Sequence, residues 1–462
     1  MNVTALVDTY NDLVTGRCAA STIEMWETLA ERQKLYFRGR RICNVLRPLF
    51  VTEEQYAKRR LAASLIGRAL MRVYDRVLDD AALRDQLGLD ARAEMALFMD
   101  SARRPRPVVG RLDGFVGSDD TIRFIEYNPF PYGIFDMEAL ANVFHPFSVI
   151  RELRRSFDMR WIPTCANTFS AIARDHEDTS GGALPRFGVI LPENEHFQEL
   201  APSLLPPGST TAEQRHELDG LFMHLRQTGM TVAVGFANET ELRDGTLYVR
   251  DQPVDVIAPE TGGEAFDPTA PYVQAILSGA VRVLNGAASS AILNMKTCFA
   301  MLSDPSFGID FGRELTAAIQ THVPWTRVLR DGKTIGRAGS EIDLLSYVAE
   351  NRSELVLKPA GALGGEGVIL GWECDAATWA AALAKALTTP HVVQHRIEVP
   401  REVFPVWMNG KVTLETRQMD YAPYVWNGDA PEGALVRLSR DGLLNITAGG
   451  GSATPLYVVR PR

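Results

Sequence analysis

Cysteine is scarce in this chain of 462 residues, and its five copies lie far apart. Their number is odd and no Cys-x-x-Cys pair occurs, which argues against both a disulfide framework and a cysteine-ligated zinc site. We expect free thiols, buried in a protein of the reducing cytoplasm. The five are Cys18, Cys43, Cys165, Cys298 and Cys374.

The chain also lacks an excess of positive charge. Lys and Arg number 48 against 57 Asp and Glu, so the net charge is -9. A nucleic-acid-binding surface needs clustered basic residues, and we therefore expect no nucleic-acid partner. A local basic pocket for phosphate groups remains compatible with this balance.

Long apolar runs are missing as well. No segment reaches the length of about 20 apolar residues that crosses a bilayer. The N-terminal stretch carries Asp8 and Asp12, and it has no basic region followed by an apolar one, as a signal peptide would have. The sequence thus predicts a cytoplasmic protein without a membrane partner.

What is present is typical of a globular protein with more than one domain. Hydrophobic residues make up 46% and charged residues 23% of the chain. Apolar residues at helical spacing fill roughly the first hundred residues, and the acids after Thr52 mark a helix start. From 185 to 285, short apolar runs such as RFGVILP and MTVAVGF alternate with helical segments, which predicts a mostly parallel sheet.

A glycine-rich segment lies between two apolar runs near residue 360. Glycine lets backbone N–H groups approach phosphate oxygens, and a lysine just before the loop could reach the same phosphates. The segment is neither a Walker A loop nor a dinucleotide fingerprint, because a strand rather than a helix follows it. A plain β-hairpin turn is the alternative interpretation. The pattern comprises Lys358, Pro359, Gly361, Gly364, Gly365 and Gly367.

A second group of polar residues lies on two predicted strands joined by the turn GSDD at 117–120. Glu126 and Asn128 are two apart, so they share one face of their strand, and Asp113 can lie opposite Glu126. Two carboxylates and an amide oxygen form a hard ligand set that suits Mg²⁺ held jointly with phosphates. Arg111 would share that face and could neutralise a transferring phosphoryl group. An exposed hairpin with mixed charges is the alternative.

Two further candidates are weaker when taken alone. Lys296 lies in the apolar stretch LNMKTCFAMLSD, where a lysine usually extends its amine to solvent. The strand VVQHRIEV contains the segment from Gln394 through His395 to Ile397, whose backbone could serve as a hinge that bonds an adenine edge.

Together these segments resemble one family. IRFIEYNPFPYG, LNMKTCFAMLSD, ELVLKPAGALGGEGVILGW, VVQHRIEVP and ALVRLSRDGLLNITAGGGS occur in the order seen in circularly permuted ATP-grasp proteins. Eukaryotic glutathione synthetases and the synthetase part of glutathionylspermidine synthetases show this permutation. The resemblance begins near residue 45 and runs to the end of the printed sequence. Each motif is moderately specific, and their consistent order is the stronger signal.

The resemblance implies an α/β (α+β) fold of the permuted ATP-grasp type. It implies a helical N-terminal region over 1–105 and the metal-binding strands of the ATP-grasp core over 106–150. An inserted α/β substrate domain would follow over 151–285, and the nucleotide-binding subdomains over 286–462.

The resemblance also implies roles for individual residues, with ATP and Mg²⁺ (or Mn²⁺) as cofactors. Asp113, Glu126 and Asn128 would hold the metal. Arg111 would act catalytically beside the acyl-phosphate oxygens, and Arg437, which matches a family signature, would be a second catalytic residue. The nucleotide would be bound by two lysines, the glycine loop and the hinge, namely Lys296, Lys358, Gly361, Gly364, Gly365, Gly367, Gln394, His395 and Ile397. The run Gly449–Gly451 matches a family signature without a firm mechanical role; anion contact by its amides is a hypothesis.

The activity that follows is an ATP-dependent ligation of a carboxylate to an amine through an acyl phosphate. We expect small-molecule substrates, preferably an amino acid or a small peptide, and allow for a homodimer. Three other readings stay open: a phosphotransferase that uses the same ATP site, a catalytically inactive ATP-binding protein, and an unrelated α/β protein. The polar run Glu193, Asn194, Glu195 and His196 follows an apolar strand and could touch an amine, or could be an exposed loop.

Overall fold

The structure is a computed structural model that describes residues 3–33, 35–37, 40–129, 133–180, 183–191, 223–259, 267–362, 364–408, 410–440 and 451–462. Its helices are α1 Val3–Thr15, α2 Ala19–Arg32, α3 Glu53–Asp79, α4 Ala81–Asp85, α5 Ala91–Asp100, α6 Ile134–Phe144, α7 Ser148–Leu153, α8 Thr164–Ser180, α9 Pro271–Ser278, α10 Ala287–Leu293, α11 Thr297–Ser303, α12 Gly312–His322, α13 Leu344–Glu350 and α14 Ala376–Ala386. Within the described ranges, no helix is both long enough and apolar enough to cross a bilayer.

Most strands of the first half of the chain are short. They are β1 Tyr36–Phe37, β2 Arg40–Arg41, β3 Leu49–Thr52, β4 Val109–Val116, β5 Ile122–Pro129, β6 Phe157–Arg160, β7 Arg186–Leu191, β8 Thr231–Phe236, β9 Thr240–Arg243, β10 Thr246–Val249, β11 Gln252–Val254, β12 Val256–Pro259 and β13 Arg282–Val283.

The second half contributes β14 Thr326–Val328, β15 Lys333–Ile335, β16 Glu341–Asp343, β17 Leu355–Pro359, β18 Ile369–Leu370, β19 His391–His395, β20 Arg401–Met408, β21 Lys411–Met419, β22 Ala422–Trp426, β23 Ala430–Ser439, β24 Ser452–Thr454 and β25 Leu456–Pro461.

The long helix α3 packs against the central sheet. Its start is fixed by a capping box, in which Thr52 and Gln55 exchange side-chain and backbone hydrogen bonds of 3.0 and 3.1 Å. Glu53 and Glu54 in the first turn complement the helix dipole. The helix start predicted at Thr52 is thus confirmed, and α3 packs along β22 and β23.

The central sheet is antiparallel, in the order β20-β21-β23-β22-β4-β5, with β24 paired to β23. Strands β4 and β5 form the hairpin that the GSDD turn predicts. Their neighbour β22 comes from more than 290 positions further along the chain, and Tyr424 pairs with Arg111 across this junction. The sheet therefore places Arg437 of β23 two strands away from Asp113 of β4.

Two smaller sheets accompany the central sheet. Strands β14-β19-β17-β18 form an antiparallel sheet, against which α13 and α14 bury Val348 and Trp379. Strands β13-β12-β7-β8 are parallel, which confirms the parallel sheet predicted between 185 and 285. The largest buried cluster joins the N-terminal helices, the central sheet and α10 to α12, so the central sheet has a rigid support.

Candidate nucleotide and acyl-transfer site

Strands β4 and β5 bring the predicted metal ligands together. Asp113 pairs with Glu126, and Arg111 pairs with Asn128, so all four side chains share one face of the sheet. The register shifts between Asp113 and Gly114 through a bulge, a device that re-aims side chains next to active sites. The strand pairing expected from the sequence is present.

An alternating chain of buried charges occupies this face: Arg111, Asp113, Arg437 and Asp420. Arg111 donates to both oxygens of Asp113, from Nε at 2.5 Å and from Nη2 at 3.0 Å. Nη2 of Arg437 donates to Asp113 at 2.7 Å, and Nε of Arg437 donates to Asp420 at 2.6 Å. These charge-assisted bonds fix two guanidinium groups beside the hairpin.

The two aspartates of this chain titrate differently. Burial raises the pKa of Asp113, but Arg111 and Arg437 outweigh burial and hold that pKa well below its usual range. Burial also raises the pKa of Asp420, and there the opposing effect of Arg437 is too small to restore the ordinary value. Asp113 is therefore the more firmly ionised partner of Arg437.

Lys296 lies at the N-terminus of α11 and connects the hairpin to the glycine-rich loop. Its Nζ is 3.3 Å from Oε2 of Glu126 and donates to the carbonyl of Ala362 at 2.6 Å. Its backbone N–H donates to the carbonyl of Ala360 at 2.9 Å. The lysine is buried, so it does not extend to solvent as an isolated lysine usually does.

Lys358 is the penultimate residue of β17, on the neighbouring sheet, and is also buried. Its Nζ donates to Oε1 of Gln394 at 2.7 Å, and Gln394 in turn donates to Oγ1 of Thr326 at 3.0 Å. Burial lowers the pKa of Lys358 to about 8, although Glu126 nearby favours the charged form. The site thus contains a lysine whose charge is held in a poorly solvated place.

The glycine-rich segment is the loop between β17 and β18, two strands that pair antiparallel. Gly364, Gly365 and Gly367 have φ values of 63, 79 and 69°, a region that side-chain-bearing residues rarely adopt. A Cβ on Gly361 would lie 3.5 Å from Sδ of Met295, beside Lys296. The loop therefore begins at the two lysines and needs glycine for its shape.

The predicted hinge follows this sheet at the end of β19. Gln394 is buried and uses its side chain to hold Lys358. His395 donates its backbone N–H to Trp325 at 2.8 Å, and its ring contacts Arg337 at 2.8 Å. Ile397 lies just beyond the strand and is half-buried. The structure places the segment beside Lys358, and its contact with adenine stays a prediction.

Two predicted groups cannot be placed. Glu193, Asn194, Glu195 and His196 lie outside the described residues, as do Gly449 and Gly450, whereas Gly451 directly precedes β24.

Sequence reasoning missed Asp420 and Thr326. Asp420 follows strand β21 in the segment TRQMDYAPYVW, where no motif distinguishes it from an ordinary turn residue. Thr326 stands in a short strand and reaches the site only through Gln394. Both act through partners that are distant in sequence, so no local pattern could have identified them.

The residues present fit a divalent cation only in part. Among the described residues, no three His, Cys, Asp or Glu side chains gather as a metal site, and the predicted set includes an amide. Glu126 and Asn128 share a face, and the Glu126 carboxylate forms an ion pair with Lys296. Each oxygen of Asp113 already accepts from arginine, so Asp113 can contribute at most a remaining lone pair. Mg²⁺ commonly takes one or two carboxylates and completes its shell with phosphates and water.

No protein-family model matches the chain, and no curated protein matches it. Among solved structures, a glutathione synthetase-like effector from Globodera pallida, in its apo form, overlaps with a TM-score of 0.56 at 11% identity and covers 96% of this chain and 93% of its own. A protein provisionally described as a gamma-glutamylcysteine synthetase from Methylobacillus flagellatus has a TM-score of 0.43 at 12% identity, with 88% and 89% covered. D-alanyl-alanine synthetase A from Vibrio cholerae has a TM-score of 0.25 at 14% identity, with 51% and 68% covered. The chain therefore shares the mixed α/β fold of the glutathione synthetase-like effector.

Proposed function

We propose that this chain is an ATP-dependent ligase that joins a carboxylate to an amine through an acyl phosphate, with an amino acid or small peptide as substrate. One observation carries the proposal. Two buried lysines, Lys296 at the start of α11 and Lys358 on β17, lie near Glu126 beside the buried arginine–aspartate chain.

The charge balance of the site favours a polyphosphate. Four cations (Arg111, Arg437, Lys296 and Lys358) face three carboxylates (Asp113, Asp420 and Glu126). Burying so many charges is costly unless each is paired, and a surplus cation calls for an anionic partner. The polyphosphate of ATP supplies that partner, and a cation would accompany it at Glu126.

The metal proposal assigns this cation to Glu126 and Asn128, with Asp113 as a further contact. A bound Mg²⁺ or Mn²⁺ would neutralise charge on the phosphate oxygens. Lys296 and Lys358 would serve the same electrostatic purpose.

The residues of the chain would act mainly by position. Lys296 and Lys358 would orient the phosphates, and the glycine loop would cover them and exclude water. Arg111 and Arg437 would stabilise the anionic oxygens as the carboxylate takes the phosphoryl group from ATP and ADP leaves. They would do the same as the amine then attacks the acyl carbon and phosphate leaves. Neither step needs a nucleophilic side chain, because both nucleophiles belong to the substrates.

The test is ADP release from Mg²⁺-ATP across a panel of carboxylates, each with and without hydroxylamine. A ligase of this kind yields ADP only with its carboxylate and yields a hydroxamate with hydroxylamine, which traps the acyl phosphate. The variant Glu126→Gln, of almost the same size, provides the negative control for contaminating ATPases.

Each other outcome of this test would assign a different activity to the chain. A stable phosphorylated product that forms without an amine would make the chain a phosphotransferase. Tight ATP binding with no ADP from any carboxylate would make it an inactive ATP-binding protein. An absence of ATP binding would overturn the proposal altogether.

A further inference from the structure

Asp420 lies in the short connection between strands β21 and β22. Strands β21 and β22 both pair with β23, and Asp420 and Tyr421 connect them. Asp420 donates its backbone N–H to the carbonyl of Arg437 at 3.0 Å and accepts the backbone N–H of Arg437 at 2.8 Å. Tyr421 donates to the carbonyl of Gly114, next to Asp113. Asp420 is thereby fixed to both strands that carry the buried charges.

The side chain of Asp420 restricts the Arg437 guanidinium to one orientation. Its Oδ2 accepts from Nε at 2.6 Å and lies 2.5 Å from Nη2, while Nη2 also donates to Asp113 at 2.7 Å. Three contacts therefore hold one edge of the planar group. In the described part of the chain, Nη1 makes no hydrogen bond, and the Arg437 side chain keeps 17% of its surface exposed.

We propose that Asp420 is a positioning residue that turns Nη1 of Arg437 toward the phosphoryl group in transfer. This inference rests on the proposed function and adds to it a residue that would touch neither substrate nor metal. Asp420 itself is only 2% exposed, so it would act through Arg437.

An ionised side chain is needed at this position for a physical reason. Arg437 lies between two carboxylates, and Asp113 already shares its charge with Arg111. An asparagine at 420 has one acceptor oxygen, which could serve the backbone N–H or the guanidinium of Arg437 but hardly both. The guanidinium would then swing toward Asp113, and Nη1 would lose its fixed direction.

The experiment compares two quantities: the affinity for MgADP alone, and the stability of a complex that imitates the phosphoryl group in transfer. Binding of MgADP is measured by calorimetry, and release of labelled ADP is then timed with aluminium fluoride, which imitates a phosphoryl group in transfer. For Asp420→Asn we expect MgADP affinity within about twofold of the parent, whereas retention of the trapped complex falls by about tenfold or more, the loss of one charge-assisted bond.

Two other variants sharpen the result. Arg437→Lys keeps the positive charge but has no Nη1, so it should show the same selective loss even if Asp420→Asn folds poorly. Glu402→Gln is the stability control, because the Glu402 carboxylate pairs with the fully buried Arg47 and not with Asp420 or Arg437; it should leave both measurements unchanged.

Trapping at the parental level in Asp420→Asn or in Arg437→Lys would overturn the assignment. Equal losses of MgADP binding and trapping would do so too, since they would indicate a structural role only. A parent protein that binds no MgADP would instead refute the proposed function, and the inference would fall with it.

Discussion

Nζ of Lys296 lies 3.3 Å from Oε2 of Glu126 and at the same time donates to the carbonyl of Ala362 in the glycine-rich loop. One lysine therefore links the carboxylate hairpin to the loop that would cover the phosphates. A phosphate oxygen in this place would compete with the Ala362 carbonyl for the amine. Occupancy of the site and the position of the loop are thus coupled through a single side chain.

The first prediction concerns the metal. Glu126→Gln keeps the size of the side chain and can still accept from Lys296, but it removes the negative charge. We expect Mn²⁺ affinity in the presence of ADP to fall by about tenfold or more, because a neutral amide is a poor ligand for a hard cation. Electron paramagnetic resonance of free Mn²⁺ measures this directly.

The matched control lies on the same hairpin. Asp119→Asn removes an exposed carboxylate that pairs with Arg123 at the turn, and it should leave Mn²⁺ binding unchanged. Equal Mn²⁺ affinity in Glu126→Gln and the parent would contradict the metal assignment.

The second prediction uses the titration of Lys358. Its pKa is lowered from 10.5 to about 8, so between these values the unfolded chain binds more protons than the folded one. Below pH 8 the buried amine stays charged in the folded protein, and this lowers the free energy of unfolding by the full amount. The free energy of unfolding then rises as the pH increases toward 10.5. Lys358→Met abolishes this dependence, so the stability of the variant relative to the parent should decline as pH rises from 8 to 10.5. Urea unfolding at several pH values measures the difference.

ATP binding provides a second readout for this variant. Loss of the amine should weaken ATP binding strongly, while Lys385→Met, on the exposed side of α14, should change neither affinity nor the pH profile. A stability difference for Lys358→Met that is flat from pH 8 to 10.5 would show that the amine is better solvated than its surroundings indicate.

Local features of the fold could be predicted from the sequence because short-range chemistry decides them. The helix start at Thr52, the hairpin turn at 117–120 and the glycine loop before β18 each depend on a few neighbouring residues. Strand alternation and turn length predict that Asp113 lies near Glu126, but their direct pairing also depends on the bulge between Asp113 and Gly114.

Long-range relationships could not be predicted in this way. No local pattern pairs Tyr424 with Arg111 or sets Gln394 against Lys358, since these contacts depend on how distant strands assemble. Arg437 was recognised only through the resemblance, and its partner Asp420 was missed. The sequence therefore suggested the groups that are proposed for chemistry, but not the residues that orient them.

The third prediction tests the backbone of the glycine loop. Gly365 and Gly410 have φ values of 79 and 76°, and a Cβ at either would meet nothing within 4 Å. Alanine at each should therefore cost a similar amount, about 1 kcal/mol, from the left-handed backbone alone. Only Gly365→Ala should also slow ATP turnover, because Gly410 lies in the distant turn after β20. Thermal unfolding and ADP release, measured on both variants, would separate the effects; equal turnover in the pair would remove the loop from the mechanism.

The last prediction concerns Asp113, which lies between Arg111 and Arg437. Asp113→Asn leaves two buried guanidinium groups short of an anion, and we expect a loss of about 3–5 kcal/mol in the free energy of unfolding at pH 7. Because the folded-state pKa of Asp113 is depressed, its stabilisation is present above the unfolded value of 3.8 and is lost as pH falls below it. The difference between parent and variant should thus be constant from pH 6 to 8 and shrink below about pH 4.

Asp158 offers a closely matched comparison, because it too accepts from two arginines, Arg460 and Arg462, each at 2.9 Å. Its side chain is 41% exposed, so water and salt screen its attraction to the two arginines. Asp158→Asn should therefore leave chemical denaturation unchanged, whereas Asp113→Asn should not. Equal stability of the two variants would mean that the buried chain is no more strongly coupled than a surface pair, and its role in fixing Arg437 would then lose its physical basis.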